Sequence, residues 1–92
     1  MELEKEDEIC FIIGGHKVCF CFMNDKTISI LKASFTEMKD YYELSDTYAL
    51  INRNMIINTL YFVNVLNVKE RLILMQTGNV LKVSRINWKK FK

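Results

Sequence analysis

Three short polar stretches interrupt an otherwise apolar chain. They are His16-Lys17, Asn52-Arg53-Asn54 and Ser84-Arg85, the last followed closely by Lys89 and Lys90. The central triplet stands between Tyr48-Ala49-Leu50-Ile51 and Met55-Ile56-Ile57. Buried flanks on both sides would hold such a triplet in place while its tips face outward. The residue types suit base recognition. Arginine pairs bidentately with the O6/N7 edge of guanine, and asparagine with the N6/N7 edge of adenine. The lysines suit phosphate contacts, which set affinity and register, whereas His16, Arg53 and Arg85 have the reach and donors for base edges. Each stretch also has a plain reading. Asparagines cap local turns, His16-Lys17 is the solvated end of a turn, and the lysines are the wet face of a terminal helix.

Other chemistries find little support. His16 is the single histidine, and no G-x-S-x-G, H-E-x-x-H or phosphate-cradling glycine loop occurs. Gly14-Gly15 lies between apolar runs and does not open a helix, where such loops bind phosphate. The expectation is that the chain is not an enzyme. Cys10, Cys19 and Cys21 are an odd set without C-x-x-C spacing. With one histidine they do not make a conventional zinc site, and Cys19 and Cys21 fall on one face of a strand, poorly placed for mutual bridging. They read as buried thiols acting as small hydrophobes. No cofactor and no metal is expected.

Ninety-two residues, half of them hydrophobic, make one small folding domain. No apolar run approaches the eighteen or so residues that span a bilayer, so no membrane contact is expected. Residues 1–8 are acidic and read as a tail or linker remnant, the opposite of a secretory signal; residues 9–92 form the domain, and the location reads as cytoplasmic. The net charge of +2 conceals an asymmetry. Residues 1–46 carry five Lys/Arg against ten Asp/Glu, and residues 47–92 carry eight against one. A basic second half fits a surface that meets polyanions, unless folding interleaves the halves.

The elements that must position the polar stretches follow from pattern. Ile9 to Ile13, Val18 to Met23 and Thr27 to Leu31 read as an antiparallel meander, the middle strand apolar on both faces and so covered on both sides. Ser34-Phe35-Thr36-Glu37 is a capping box, with Glu37 reaching back to the Ser34 amide. It opens a helix from Phe35 to near Leu44 whose Phe35, Met38 and Tyr42 form the buried stripe. Tyr48 to Ile51 is a strand leading into the triplet. Tyr61 to Leu66, Arg71 to Gln76 and Val80 to Val83 make a second meander, turned by Thr77-Gly78-Asn79. Ser84 caps a last short helix, Arg85 to Lys92, which Trp88 and Phe91 dock on the sheet. The expected architecture is mainly β: strands in two groups of three around one short helix, with a C-terminal helical turn.

The order of these stretches resembles the LytTR DNA-binding domain, the output module of many bacterial two-component response regulators. Tyr48-Ala49-Leu50-Ile51-Asn52-Arg53-Asn54-Met55-Ile56-Ile57-Asn58 is similar to the family's central signature, a strand running into a His/Asn-Arg-Ser-type triplet, then aliphatics and Asn. Thr77-Gly78-Asn79-Val80-Leu81-Lys82-Val83-Ser84-Arg85-Ile86-Asn87-Trp88-Lys89-Lys90-Phe91 resembles its closing element. The resemblance covers about Ile9 to Lys92. It implies small stacked antiparallel β-sheets with one short α-helix and a C-terminal helical turn. It also implies binding of double-stranded DNA by loops that enter successive major grooves, usually at promoter direct repeats, with a homodimer on DNA as one arrangement. By position, His16 or Lys17 falls in the first contact loop, Arg53 with Asn52 or Asn54 in the second, and Arg85 or a neighbour in the third. Three positions depart from the pattern. Asn52 stands where His is commonest, Asn54 replaces Ser, and Ile86 occupies a place that is often basic, so the target sequence does not follow. Family members commonly carry an N-terminal receiver or sensory domain; a stand-alone regulator and an excised fragment both fit the acidic residues 1–8.

The leading expectation is thus a sequence-specific duplex-DNA-binding domain acting in transcription. A protein-interaction or dimerisation module of the same fold is the alternative, motivated by the acidic first half and the departures at Asn54 and Ile86. Single-strand binding through Phe20, Phe22 or Tyr61 is the weakest, because those positions read as buried.

Overall fold

A computed structural model of the chain describes residues 8–43 and 45–91. The acidic stretch, apart from Glu8, lies outside the described residues, as do Leu44 and Lys92 at the expected helix ends. Strands β1 (Ile9–Gly14), β2 (Cys19–Met23) and β3 (Ile28–Leu31) form the first meander. Helix α1 (Phe35–Glu43) follows, then β4 (Tyr48–Asn52) and β5 (Met55–Asn58). The second meander is β6 (Phe62–Asn67), β7 (Leu72–Met75) and β8 (Val80–Lys82). A short α2 (Arg85–Trp88) continues as a 3-10 turn, Lys89–Phe91.

The first group holds five strands rather than three, in the order β3-β2-β1-β5-β4. The polar triplet ends in a two-residue turn, so Met55-Ile56-Ile57 folds back on β4 and pairs across to β1, Phe11 opposite Ile57 and Ile13 opposite Met55. Asn58 secures this join. It is the buried polar residue among the described ones; its amide donates to the Ile9 carbonyl at 2.9 Å and accepts from the Leu60 N–H at 3.0 Å. A buried amide with both ends satisfied avoids the penalty of about 1–3 kcal/mol for an orphaned group.

The five-stranded sheet is covered on both faces, as the doubly apolar β2 requires. On one face α1 buries Met38 and Tyr42 against Ile9, Ile12, Cys19 and Cys21. On the other, the three-stranded sheet and α2 bury Ile73, Leu81, Val83 and Trp88 against Cys10, Phe11, Ile51 and Ile57. A bulge near the start of β1 puts the consecutive Cys10 and Phe11 on the same face. Phe11 stacks on Phe22 with centroids 4.5 Å apart. Trp88 stacks on Phe91 at 5.7 Å, and Phe91 meets Phe62 at 5.4 Å, which docks the C-terminal turn as its spacing predicts.

Helix α1 starts where expected. The Ser34 hydroxyl accepts from the Glu37 N–H at 3.2 Å. The Glu37 carboxylate closes the box on the Ser34 hydroxyl, at 3.3 Å, rather than on the backbone amide. The first turn of α1 sits on the end of β1, and only a glycine permits it. A Cβ on Gly14 would lie 2.6 Å from the Cβ of Phe35.

Candidate nucleic-acid interface

The antiparallel topology sends five connections to one end of the molecule: β1–β2, β3–α1, β4–β5, β6–β7 and β8–α2. All three polar stretches lie on these connections, and backbone hydrogen bonds join them in a row. The Gly14 N–H donates to the Asn54 carbonyl at 2.8 Å, tying the first loop to the second. The Ser84 N–H donates to the Ile51 carbonyl at 2.8 Å, tying the third to the second from its other side.

The first loop is tight, with the Gly15 N–H bonded to the Val18 carbonyl at 2.8 Å. Lys17 takes a left-handed backbone, φ 65°, and both His16 and Lys17 are exposed. In the second loop Arg53 and Asn54 are exposed, whereas the Asn52 amide is spent inside the protein. Its oxygen accepts from the Asn54 N–H at 3.1 Å, an Asx turn, and its nitrogen donates to the Lys82 carbonyl at 3.2 Å. Asn52 therefore clamps the turn that presents Arg53, and couples it to the second sheet. In the third segment the Ser84 hydroxyl accepts from the Asn87 N–H at 3.4 Å and the Asn87 amide at 2.8 Å, as an N-cap should. Arg85 and Ile86 face solvent on this turn while Trp88 is buried beneath it.

Of the two lysines that follow, Lys89 is exposed, and Lys90 reaches back. The Lys90 ammonium donates to the Leu50 carbonyl at 2.8 Å. That bond, with Ser84 on Ile51, covers the free edge of β4 and pins the last turn against it. The side chains of His16, Lys17, Arg53, Arg85 and Lys89 have no hydrogen-bond or ion-pair partner among the described residues.

Two cations that sequence reasoning passed over belong to this end. Arg71 closes the β6–β7 turn with φ 56°, and its Nε donates to the Val83 carbonyl at 2.9 Å, one residue from Ser84. Its place directly after a turn, like that of the three stretches singled out, is the signal that could have found it. Lys39 reads as the solvated face of α1, yet it lines a shallow concavity of about 560 Å³ with Leu50, Arg53 and Ile86. Only the packing of α1 beside β4 reveals that.

Metal ligation and thiol chemistry are the other possibilities among the described residues. No group of three or more His, Cys, Asp or Glu side chains there could hold a metal ion. The three thiols are free and buried. Burial pushes the Cys21 thiol up to about 11, helped by its neighbour Cys19. Cys19 is raised by burial and then by Glu37, and Cys10 by burial against opposing hydrogen bonds to Thr77. Such thiols stay protonated at neutral pH and are poor nucleophiles. No helix among the described residues is long and apolar enough to cross a membrane.

No family model and no curated protein matches the sequence. Among solved structures, a LytTr DNA-binding domain of a response regulator from Bacillus cereus matches with a TM-score of 0.74 at 16% identity. The match covers 92% of this chain and 78% of that chain. Two antiparallel sheets with few short helices are thus the LytTr fold, as the sequence resemblance implied.

Proposed function

We propose that this chain, which has the fold of a LytTr DNA-binding domain, binds double-stranded DNA and reads its sequence through the three joined loops. The observation that carries the reading is the pair of backbone bonds on either side of the second loop, Gly14 to Asn54 and Ser84 to Ile51. They join three separate connections whose cations have no hydrogen-bond or ion-pair partner among the described residues, which supports the reading. Rigid loops keep binding from spending its free energy on ordering them.

In this reading Arg53 is the base reader, with its bidentate donors aimed at guanine O6 and N7 in a major groove. Asn54, His16 and Arg85 extend the contact to neighbouring base pairs. Lys17 and Lys89 meet phosphates and set register. Asn52 and Lys90 serve from behind, the first by clamping the Arg53 turn and the second by fixing the segment that carries Arg85. The reading extends to a role in transcription at promoter direct repeats, one copy to each repeat.

Fluorescence anisotropy against duplexes selected from a random pool tests it. The expected result is tight binding at low salt, with log K falling linearly against log salt at a slope near −0.9 per phosphate contacted. Binding that ignores salt, or that prefers single strands, contradicts the reading. The alternative, a protein-interaction module, is favoured by the exposed Ile28 and Ile30 on the edge strand β3. It predicts concentration-dependent self-association by sedimentation with no duplex affinity.

A further inference from the structure

Ile86 is 81% exposed, the most exposed large hydrophobic among the described residues. The core does not use it, since Trp88 and Phe91 dock the same turn. It stands at the cationic end and shares its shallow concavity with Leu50, Arg53 and Lys39. Leu50 and Ile86 give that concavity its apolar wall, two cations flank it, and no carboxylate is among its lining residues. An apolar surface set between cations fits an apolar group carried by a polyanion. In the major groove of duplex DNA that group is the C5-methyl of thymine.

We infer that Ile86 reads a thymine methyl next to the base pair contacted by Arg53. The inference rests on the duplex-DNA reading and adds a specificity residue and a target base to it. Arginine at the same place would add a donor and a charge. Isoleucine instead rejects positions without a methyl, by leaving its own apolar surface wet. Ile86 thus adds apolar packing to the hydrogen bonding that Arg85 offers on the same turn.

The test uses the whole chain and a duplex selected by it from a random pool. Each thymine in the selected site is replaced in turn by deoxyuridine, which lacks only the methyl. One replacement should weaken binding about fourfold, the worth of one buried methyl group. Ile86→Ala should bind the thymine duplex about as weakly as the native chain binds the deoxyuridine duplex, and should not distinguish the two. Ile86→Val should retain the discrimination. Because the side chain is exposed, Ile86→Ala should unfold at the same urea midpoint as the native chain. Indifference of the native chain to every replacement overturns the inference, and so does a methyl effect that persists undiminished in Ile86→Ala. Failure to bind any duplex at low salt is a separate result, which overturns the DNA reading and the inference with it.

Discussion

The two ends of the molecule are built from the same kinds of turn and treat their polar side chains in opposite ways. At the end away from the candidate interface, turns close on themselves. The Thr27 hydroxyl donates to Asp25 at 2.5 Å, the Thr77 hydroxyl to Asn79 at 2.6 Å, and the Thr59 hydroxyl to the Thr47 carbonyl at 2.7 Å. The charges there are Glu8, Asp25 and Asp46 against Lys26. At the candidate interface the five connections carry Lys17, Lys32, Arg53, Lys69, Arg71 and Arg85 against Glu70, with Glu37 on the first turn of α1 beside them. Polar groups also tie that end together, through Asn52, Ser84 and Arg71, but the cationic tips of Arg53, Arg85 and Lys17 have no partner among the described residues. One end spends its polar groups on its own turns. The other spends only enough to hold its tips still, and that surplus is what a ligand can use. Arg53, Lys69, Arg71 and Arg85 of the basic half all lie on connections at that end.

Three substitutions, two of them with a control at the opposite end, probe this contrast, from the largest expected effect to the smallest. Trp88→Ala removes the ring that docks the Arg85 segment; a loss of about 3–5 kcal/mol is expected in urea unfolding. Leu60→Ala at the other end removes a side chain that is 71% exposed and should change stability by less than about 0.5 kcal/mol. Equal costs would mean that the C-terminal turn does not organise its end.

Asn52→Ala removes two hydrogen bonds, about 1–2 kcal/mol of stability, and should lower DNA affinity although Asn52 touches no base in this account. Asn79→Ala removes a comparable turn bond at the opposite end and should leave affinity unchanged. Parallel titrations of the two variants decide whether the Asn52 bond matters because of where it lies. Lys89→Ala should have the smallest effect, weakening binding to all duplexes alike and reducing the salt slope by about one. A loss confined to one duplex would instead make Lys89 a base reader.

Much of this was legible before any coordinates. Ser34 and Glu37 mark the start of α1, Gly78 marks the β7–β8 turn with φ 91°, and the i, i+3 pair Trp88 and Phe91 marks the docked end. These are local signals, each settled within a few residues. The β5 strand was not legible. Met55-Ile56-Ile57 is too short to show alternation, and only its pairing with β1, some forty residues earlier, makes it a strand. The same limit applies at the interface. Asn52 and Arg53 are equally polar in the sequence, yet a bond to Lys82, thirty residues away, turns one into a clamp while the other stays exposed. Lys90 next to Lys89 differs for the same reason, through its bond to Leu50.

The central claim is that the cationic end, and not cationic charge in general, engages DNA. Arg53→Ala and Lys26→Ala each remove one exposed cation, from opposite ends, so the measurement is the affinity of both variants for one selected duplex and for its scrambled counterpart. The account predicts that Arg53→Ala loses about 1–3 kcal/mol on the selected duplex and much less on the scrambled one, while Lys26→Ala matches the native chain on both. Equal losses from the two substitutions would contradict it.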